Sequence, residues 1–450
     1  IGERRTRGSF YTPEATVAGL LRISLDRLLA ERSSHGFEAV AAIRICDPTC
    51  GTGNFLTAVA VRIRSALVVL GMDNEDASQA ALRCVVGVDM DSEAAELCRD
   101  ELAAVLQVER SDETDSNILS ADSLLMPLEN DSDSPSWKAF QQRVGAPNGF
   151  DLVIGNPPFI SQTRSETAFA PRYAKLVKKR FEGVATAATD PAALFMVVAS
   201  QIIDPDNGRV CLIEPVSTLS SAGAARVREV MGDAMALTHI WFTDEQLFTG
   251  ASVEVWASVW RSGAAQQTVT VLTGSRLEFH SITQYPGPQW GTLLAASKGV
   301  PDELWQTDGI VSSICSATAD FRDQYYGLVG HVHDSETQSH GPKLVTSGLI
   351  DPAHLLWGKK RTKFNREAFT HPRVDVAALT PALQTWAAKR AVPKILLATQ
   401  TRVLEPIVDI DGSLLPSVPV LTICANDDSD LWLIGALLVS PPISAIAAAP

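Results

Sequence analysis

The nine residues Asp151 to Phe159, DLVIGNPPF, combine groups that could act on a planar amine. Asn156 offers an amide oxygen, and the carbonyl of Pro157 is a second acceptor held by a rigid ring. Two acceptors side by side fit an NH2 group. Phe159 adds an aromatic face, and stacking a flat heterocycle on such a face is worth about 1–3 kcal/mol per base. Pro157 and Pro158 lack a backbone N–H, so the chain must leave any sheet here and form a stiff loop. The preceding Leu152, Val153 and Ile154 read as a short buried parallel strand. In open α/β sheets ligands bind at the carboxyl edge of such strands. A plain strand ending in a proline turn is the competing reading, and the neighbouring segments decide between the two.

Upstream, AAIRICDPTCGTGNFLTAVAVRIRSALVVLG reads as a strand ending at Asp47, a turn with Pro48, Gly51 and Gly53, and a long helix closed by Gly71. Glycines let backbone approach a ligand closely, and the helix N-terminus supplies N–H donors. No Gly-Lys-Ser/Thr follows Gly53, so a nucleoside without a phosphate chain suits the turn better than a nucleotide. CVVGVDMDSEAAELCRDELAAVL is a second strand and helix. Its Asp89 stands where a carboxylate can take both ribose hydroxyls, and Asp91 reads as the helix N-cap. NILSAD is a third short strand whose Asp122 could accept an exocyclic amine. Each acid alone would be a solvated strand end or a cap; three strand ends around one glycine turn make a cofactor cleft.

The elements that must position these groups follow in order. Thr12 reads as an N-cap and Pro13 as the first residue of an amphipathic helix through TPEATVAGLLRISLDRLLAERS. SQTRSETAFAPRYAKLVKKRFEG, after the NPPF loop, is either a solvated helix face or a lid near substrate. DPAALFMVVASQII is a helix apolar nearly all round, GRVCLIEP and ALTHIWF are strands, and SVEVWASVWR is a strand expected to pair with QTVTVL. Phe248 lies in a loop with Gly and Ser, as a core residue or a second aromatic wall. The fold class expected is α/β, a doubly wound sheet with an antiparallel edge.

With 450 residues, 46% of them hydrophobic, the chain is long enough for two or three domains. It carries no apolar run of the ~20 residues a membrane span needs, and no signal-peptide core. A soluble cytoplasmic protein is expected, and a start at Ile1 with an end at Pro450 soon after an apolar stretch reads as a fragment of something longer. The seven cysteines form no CxxC pair and read as reduced core thiols rather than a zinc site or disulfide framework. A net charge of −14 argues against a generic nucleic-acid coat, but leaves room for a local basic face. From Gly341 to Arg402 there are 11 Lys and Arg against three acids, Asp351, Glu367 and Asp375, interleaved with Trp357, Phe364, Phe369 and Trp386. Such a concentration suits a phosphate backbone. Asp411-Gly412 reads as a hairpin turn between late strands.

In order, FYTP, DPTCGTGNFL, GVDMD, SAD and DLVIGNPPF resemble the motifs of the gamma-class adenine-N6 DNA methyltransferases of bacterial restriction-modification and related phage-defence systems. The resemblance covers roughly Gly8 to Thr273 and is weaker beyond. It implies an S-adenosylmethionine-dependent transferase of Rossmann-like fold. By it, Tyr11, Thr12 and Pro13 close over the methionine part of the cofactor. Asp47, Pro48, Gly51 and Gly53 form the turn beside it, Asp89 takes the ribose and Asp122 the adenine. Asn156, Pro157, Pro158 and Phe159 form the catalytic loop, which more often ends in Tyr, and Phe248 loosely matches an aromatic position that stacks on the target base. The implied chemistry is direct methyl transfer to N6 of a flipped adenine, with no metal, and with double-stranded DNA as partner. Nuclease or other defence-system subunits are further partners consistent with it. The expected domains are a catalytic domain over 1–275, a connector over 276–325, and a mixed α/β target-recognition domain over 326–450. There GLIDPAHLLWGKKRTKF looks like the start of such domains and Lys359, Lys360, Arg361 and Lys363 are the DNA contacts. The alternatives are an N-methyltransferase acting on RNA or on a protein glutamine, and a non-catalytic DNA-binding subunit on the same fold.

Overall fold

The computed structural model describes residues 12–130, 135–159, 170–243, 245, 247–248, 253–297, 311–320, 322–337, 341–399, 401 and 403–448. Tyr11 and Arg402 lie outside them. The chain divides into two compact units, Ile1–Lys298 and Gly299–Ala449.

The first unit is built on a nine-stranded sheet of order β3-β2-β1-β4-β5-β7-β6-β8-β9. Its strands are β1 (Ile45–Asp47), β2 (Val85–Asp89), β3 (Ile118–Ser120), β4 (Leu152–Gly155), β5 (Arg209–Pro215), β6 (Ala236–Phe242), β7 (Val255–Arg261), β8 (Thr268–Thr273) and β9 (Glu278–Gln284). Strands β1 to β5 pair in parallel, with Ile45 opposite both Val85 and Leu152, and Gly155 opposite Leu212. Alternation of side chains divides the core in two. Cys46, Val153, Val210 and Leu212 face one layer, which includes helix Pro191–Ile202; Ile45, Leu152, Ile154 and Ile213 face the other, built from Glu14–Ser33 and Asn54–Val69. We call these helices α1 (Glu14–Ser33), α2 (Asn54–Val69) and, after α3 (Ser92–Leu106) and α4 (Pro171–Arg180), α5 (Pro191–Ile202).

This is the doubly wound α/β sheet the alternation of elements predicts, with one difference in strand pairing. The antiparallel β7 is not at the edge; it inserts between β5 and β6, and β8 pairs in parallel with β6 rather than with β7. The reason is composition. Trp256 and Trp260 fill one face of β7 while Val255, Ala257 and Val259 fill the other, and a strand apolar on both faces must be covered on both. The edge falls to β9, antiparallel to β8 and largely exposed. Part of the expected connector is therefore sheet, since β9 lies within it.

In the second unit one antiparallel sheet has the order β10-β21-β18-β19 and a mixed one β11-β17-β12-β20. The first contains β10 (Cys315–Ala319), β18 (Lys394–Ala398), β19 (Glu405–Asp409) and β21 (Leu421–Ala425); the second β11 (Val332–Asp334), β12 (Lys343–Val345), β17 (Pro372–Val374) and β20 (Leu414–Pro416). Two hairpins, β13 (Ile350–Asp351) with β14 (His354–Leu355) and β15 (Thr362–Phe364) with β16 (Glu367–Phe369), complete it. β10 extends the structured second unit back into the expected connector. The turn at Asp411-Gly412 exists, with Gly412 at φ +63°, but it joins no hairpin. β19 and β20 leave it for different sheets.

That divergence is held by a buried ion pair. Asp409 is 4% exposed and accepts from the Lys394 ammonium and from the backbone N–H groups of Ser413 and Leu414, at 3.0 Å each. Lys394 is fully buried, and burial pulls its pKa down against the pull of Asp409. Removing one partner of such a pair leaves the other charge stranded, typically at about 3–5 kcal/mol. Lys394→Met is therefore expected to lower the unfolding free energy of the second unit by an amount in that range, measured by urea titration. A change below about 1 kcal/mol would show that the two backbone donors alone carry Asp409.

Candidate active site

The carboxyl ends of β1, β2 and β4 bring together most of the residues singled out by chemistry. Asp47 ends β1, and the turn after it is closed by Cys50 N–H donating to Val88 O (3.0 Å) and Gly53 N–H to Cys50 O (2.8 Å). Gly51 and Gly53 hold φ of +53° and +92°, left-handed values that favour glycine. A Cβ at Gly51 would point into open space, whereas one at Gly53 would press on the Cys98 sulfur of α3. The turn thus has an open upper side and a packed lower one, and α2 begins directly after it. Asp89, at the end of β2, fixes the turn: its Oδ2 accepts from Gly51 N–H and its Oδ1 from Asp91 N–H, both at 2.8 Å. Asp91 caps α3, as its position predicts.

The catalytic-loop candidates follow β4. Pro157 is buried; Asn156, Pro158 and Phe159 are half-buried. Asn156 Nδ2 donates to Thr12 Oγ1 at 3.1 Å, which fixes the amide with its other polar atom, the acceptor Oδ1, buried. Thr12 is 2% exposed, and its own carbonyl accepts from Asn54 Nδ2 at 2.7 Å. The expected helix start is corrected here: Pro13, not Thr12, takes the N-cap position of α1, with no side-chain cap bond. The Thr12 hydroxyl is committed across the site instead. Sequence reading missed Asn54, although an Asn opening the helix after a glycine turn was a visible signal.

Two further contacts were not legible. Asp47 is 2% exposed, accepts from Thr49 N–H at 2.9 Å, and lies over Gly155, where a Cβ would overlap its Oδ1. Asp122, placed one residue past β3 and a bend, accepts from the N–H groups of Leu124 (3.1 Å) and Leu125 (3.2 Å) and meets the Tyr173 hydroxyl of α4. Burial first, and Asp122 second, raise the Tyr173 pKa, so the phenol stays a donor. Phe248 is 2% exposed, yet its ring lies 5.9 Å from that of Phe159, tilted by 57°. Phe248 is thus a core residue, and its ring packs against that of Phe159. Neighbouring Glu214, on β5, is fully buried, and burial with Asp190 nearby holds its carboxyl well above the usual range. Among the described residues no cluster of three His, Cys, Asp or Glu could hold a metal, and no helix is long and apolar enough to cross a membrane.

In the second unit, Lys359, Lys360, Arg361 and Lys363 are exposed, together with Arg366 and Lys389. The other described basic residues of that stretch are used internally. Arg373 is 4% exposed and donates to the carbonyls of Ser335, Glu336 and Gly341; Arg390 pairs with Asp320, and Lys394 with Asp409. Lys343 and Arg373 also lie over the Trp357 ring, at 4.8 and 4.9 Å. The interleaved Phe364 and Phe369 are core. The basic concentration is therefore narrower than the sequence count implies and centres on residues 359–366.

Residues 83–248 match the Eco57I restriction-modification methylase family. That span runs from β2 to Phe248 and contains Asp89, Asp122 and the NPPF loop. Among solved structures, the Type IIL restriction-modification enzyme MmeI in complex with DNA aligns over 97% of this chain with a TM-score of 0.61 and 12% identity. This chain spans 65% of that one. The DrdV–DNA complex aligns over 74% of this chain and 37% of its own (TM-score 0.48, 15% identity). A type I restriction-modification methyltransferase subunit from Streptococcus thermophilus aligns over 65% and 54% (TM-score 0.41, 18% identity). The fold of the chain is that of the S-adenosylmethionine-dependent methyltransferases of restriction-modification enzymes.

The acid at the centre gives a pH test. Burial chiefly, and the Asp89 charge in addition, raise the Asp47 pKa to about 7, against the Thr49 hydrogen bonds that lower it. A carboxyl whose folded pKa exceeds its unfolded value binds its proton more tightly when folded, so it contributes stability below pH ~4 that is lost as pH rises to ~7. Asp47→Asn keeps an acceptor for Thr49 and cannot ionise. Relative to Asp47→Asn, the parent is expected to lose up to about 4 kcal/mol between pH 4 and 8. Parallel stability curves over that window, from denaturant titrations of both proteins, would refute a neutral Asp47.

Proposed function

We propose that this chain is the methyltransferase and target-recognition part of a restriction-modification or phage-defence enzyme, moving the methyl of S-adenosylmethionine to N6 of an adenine flipped out of double-stranded DNA. The observation that carries this reading is the NPPF loop, fixed at the carboxyl edge of β4 beside the Gly51/Gly53 turn with the Phe159 and Phe248 rings adjacent. In this reading the first unit carries catalysis and the second reads DNA.

The residues fit the cofactor. The open side of Gly51, the N-terminus of α2 and the Asp89 carboxylate suit a nucleoside whose ribose hydroxyls donate to Asp89. Asp122 accepts the adenine amine, and Thr12 and Pro13, with Tyr11, close the methionine end. S-adenosylmethionine supplies a methyl made electrophilic by its sulfonium. The amine N6 of the target is a poor nucleophile because its lone pair is delocalised into the ring. Asn156 Oδ1 and the Pro157 carbonyl accept the two N6–H bonds, which favours a pyramidal nitrogen with its lone pair aimed at the methyl. As the N6–methyl bond forms the methyl–sulfur bond breaks, leaving the neutral thioether, and the methylated amine then releases one proton to water. Transfer therefore needs positioning and charge placement rather than a covalent enzyme intermediate. Thr12, by holding the Asn156 amide nitrogen, keeps the oxygen turned toward the base. Extruding a base costs a few kcal/mol, and stacking on Phe159, itself backed by Phe248, offsets it.

The test is transfer of labelled methyl to mixed-sequence duplex DNA by the parent and by Asn156→Ala. Label recovered as N6-methyladenine from the parent, and reduced at least 100-fold in the variant with cofactor binding retained, is the expected outcome. Label in RNA or protein, or in another base, would overturn the assignment of substrate.

A further inference from the structure

The β15–β16 hairpin carries at its turn a residue that the backbone there does not favour. It turns in two residues, Asn365 and Arg366, with φ of +46° and +69°. Both values lie in the left-handed region, the pattern of a tight hairpin turn that sequences usually fill with Asn-Gly. Asn tolerates this conformation. Arg does not do so readily, and a glycine at 366 would relieve the strain.

The strained turn is nevertheless fixed. Asn365 N–H is 3.0 Å from the Tyr325 hydroxyl, and the Tyr325 ring packs 4.8 Å from that of Phe364. On the strands, Thr362, Phe364 and Phe369 point into the core, which turns Lys363 and Ala368, opposite one another, outward. Arg366 is exposed at the tip, and Lys359, Lys360 and Arg361 are exposed on the approach. A two-stranded ribbon fits the DNA major groove, and the guanidinium matches the O6/N7 edge of guanine with two parallel hydrogen bonds. Strain retained at a rigid, exposed position is a mark of function.

We propose that the β15–β16 hairpin enters the major groove and that Arg366 at its tip reads a guanine, while Lys359, Lys360, Arg361 and Lys363 contact phosphates. This rests on the reading of the second unit as the part that recognises DNA.

The experiment uses the full chain, a randomised duplex library and S-adenosylmethionine, with the methylated products sequenced. The variants are Arg366→Gly, which removes the side chain and relieves the backbone, and Lys363→Ala. The parent is expected to select a sequence containing at least one guanine. Arg366→Gly is expected to melt no lower than the parent and to lose about 10- to 100-fold discrimination at one guanine, the other positions being unchanged. Lys363→Ala is expected to weaken all sequences alike and reduce the salt dependence of binding by about one ion. A parent that methylates duplex DNA while Arg366→Gly keeps the same selectivity at every position overturns this proposal alone. So does a uniform loss on all sequences with a reduced salt slope, which would make Arg366 a phosphate contact. A parent that transfers no methyl to DNA removes the functional reading and this proposal together.

Discussion

The close approach of β1 and β4 at their carboxyl ends is the constraint on which the site depends. The Asp47 carboxyl occupies the space a side chain at residue 155 would need, so only glycine allows the two strands to end side by side. One strand end launches the glycine turn and the other launches Asn156. Packing Asp47 on Gly155 therefore sets the spacing between the glycine turn proposed to hold the cofactor and the loop proposed to hold the target amine. Burial raises the pKa of that acid to about 7, so it carries a full negative charge for only part of the time near neutral pH, which lessens the repulsion from Asp89 one strand away.

Thr12 closes the same arrangement from the N-terminal side. Its hydroxyl holds Asn156 and its carbonyl is held by Asn54, so a segment ahead of α1 ties the start of α2 to the loop after β4. Three stretches far apart in the chain thereby share two hydrogen bonds. A threonine used as an N-cap would have stabilised one helix only; here the same side chain holds the amide of Asn156, in the loop proposed to be catalytic.

The second unit shows how a basic count overstates a binding face. Arg373, Arg390 and Lys394 are partnered within the fold, because long cationic side chains that lie over a small sheet core must find acceptors. Apart from Lys389, the cations that remain outward among the described residues lie on and before a hairpin whose turn is tied to the Tyr325 hydroxyl. Rigidity and charge at one place suit a groove better than dispersed charge does.

By itself the sequence determined the doubly wound order of elements, the Asp91 helix cap, and the ends of β1, β2 and β4, because apolar runs, Gly, Pro and Asp act locally. It also placed Asn156 to Phe159 in a loop, since two prolines leave a strand no alternative. Only the tertiary structure decided that β7 lies inside the sheet, that Asp411-Gly412 joins two different sheets, and that Thr12 serves Asn156. It alone paired Phe159 with Phe248 and sorted the inward from the outward cations. Those outcomes depend on which surfaces meet across the chain, and nothing in the local spacing of a segment records what will be packed against it.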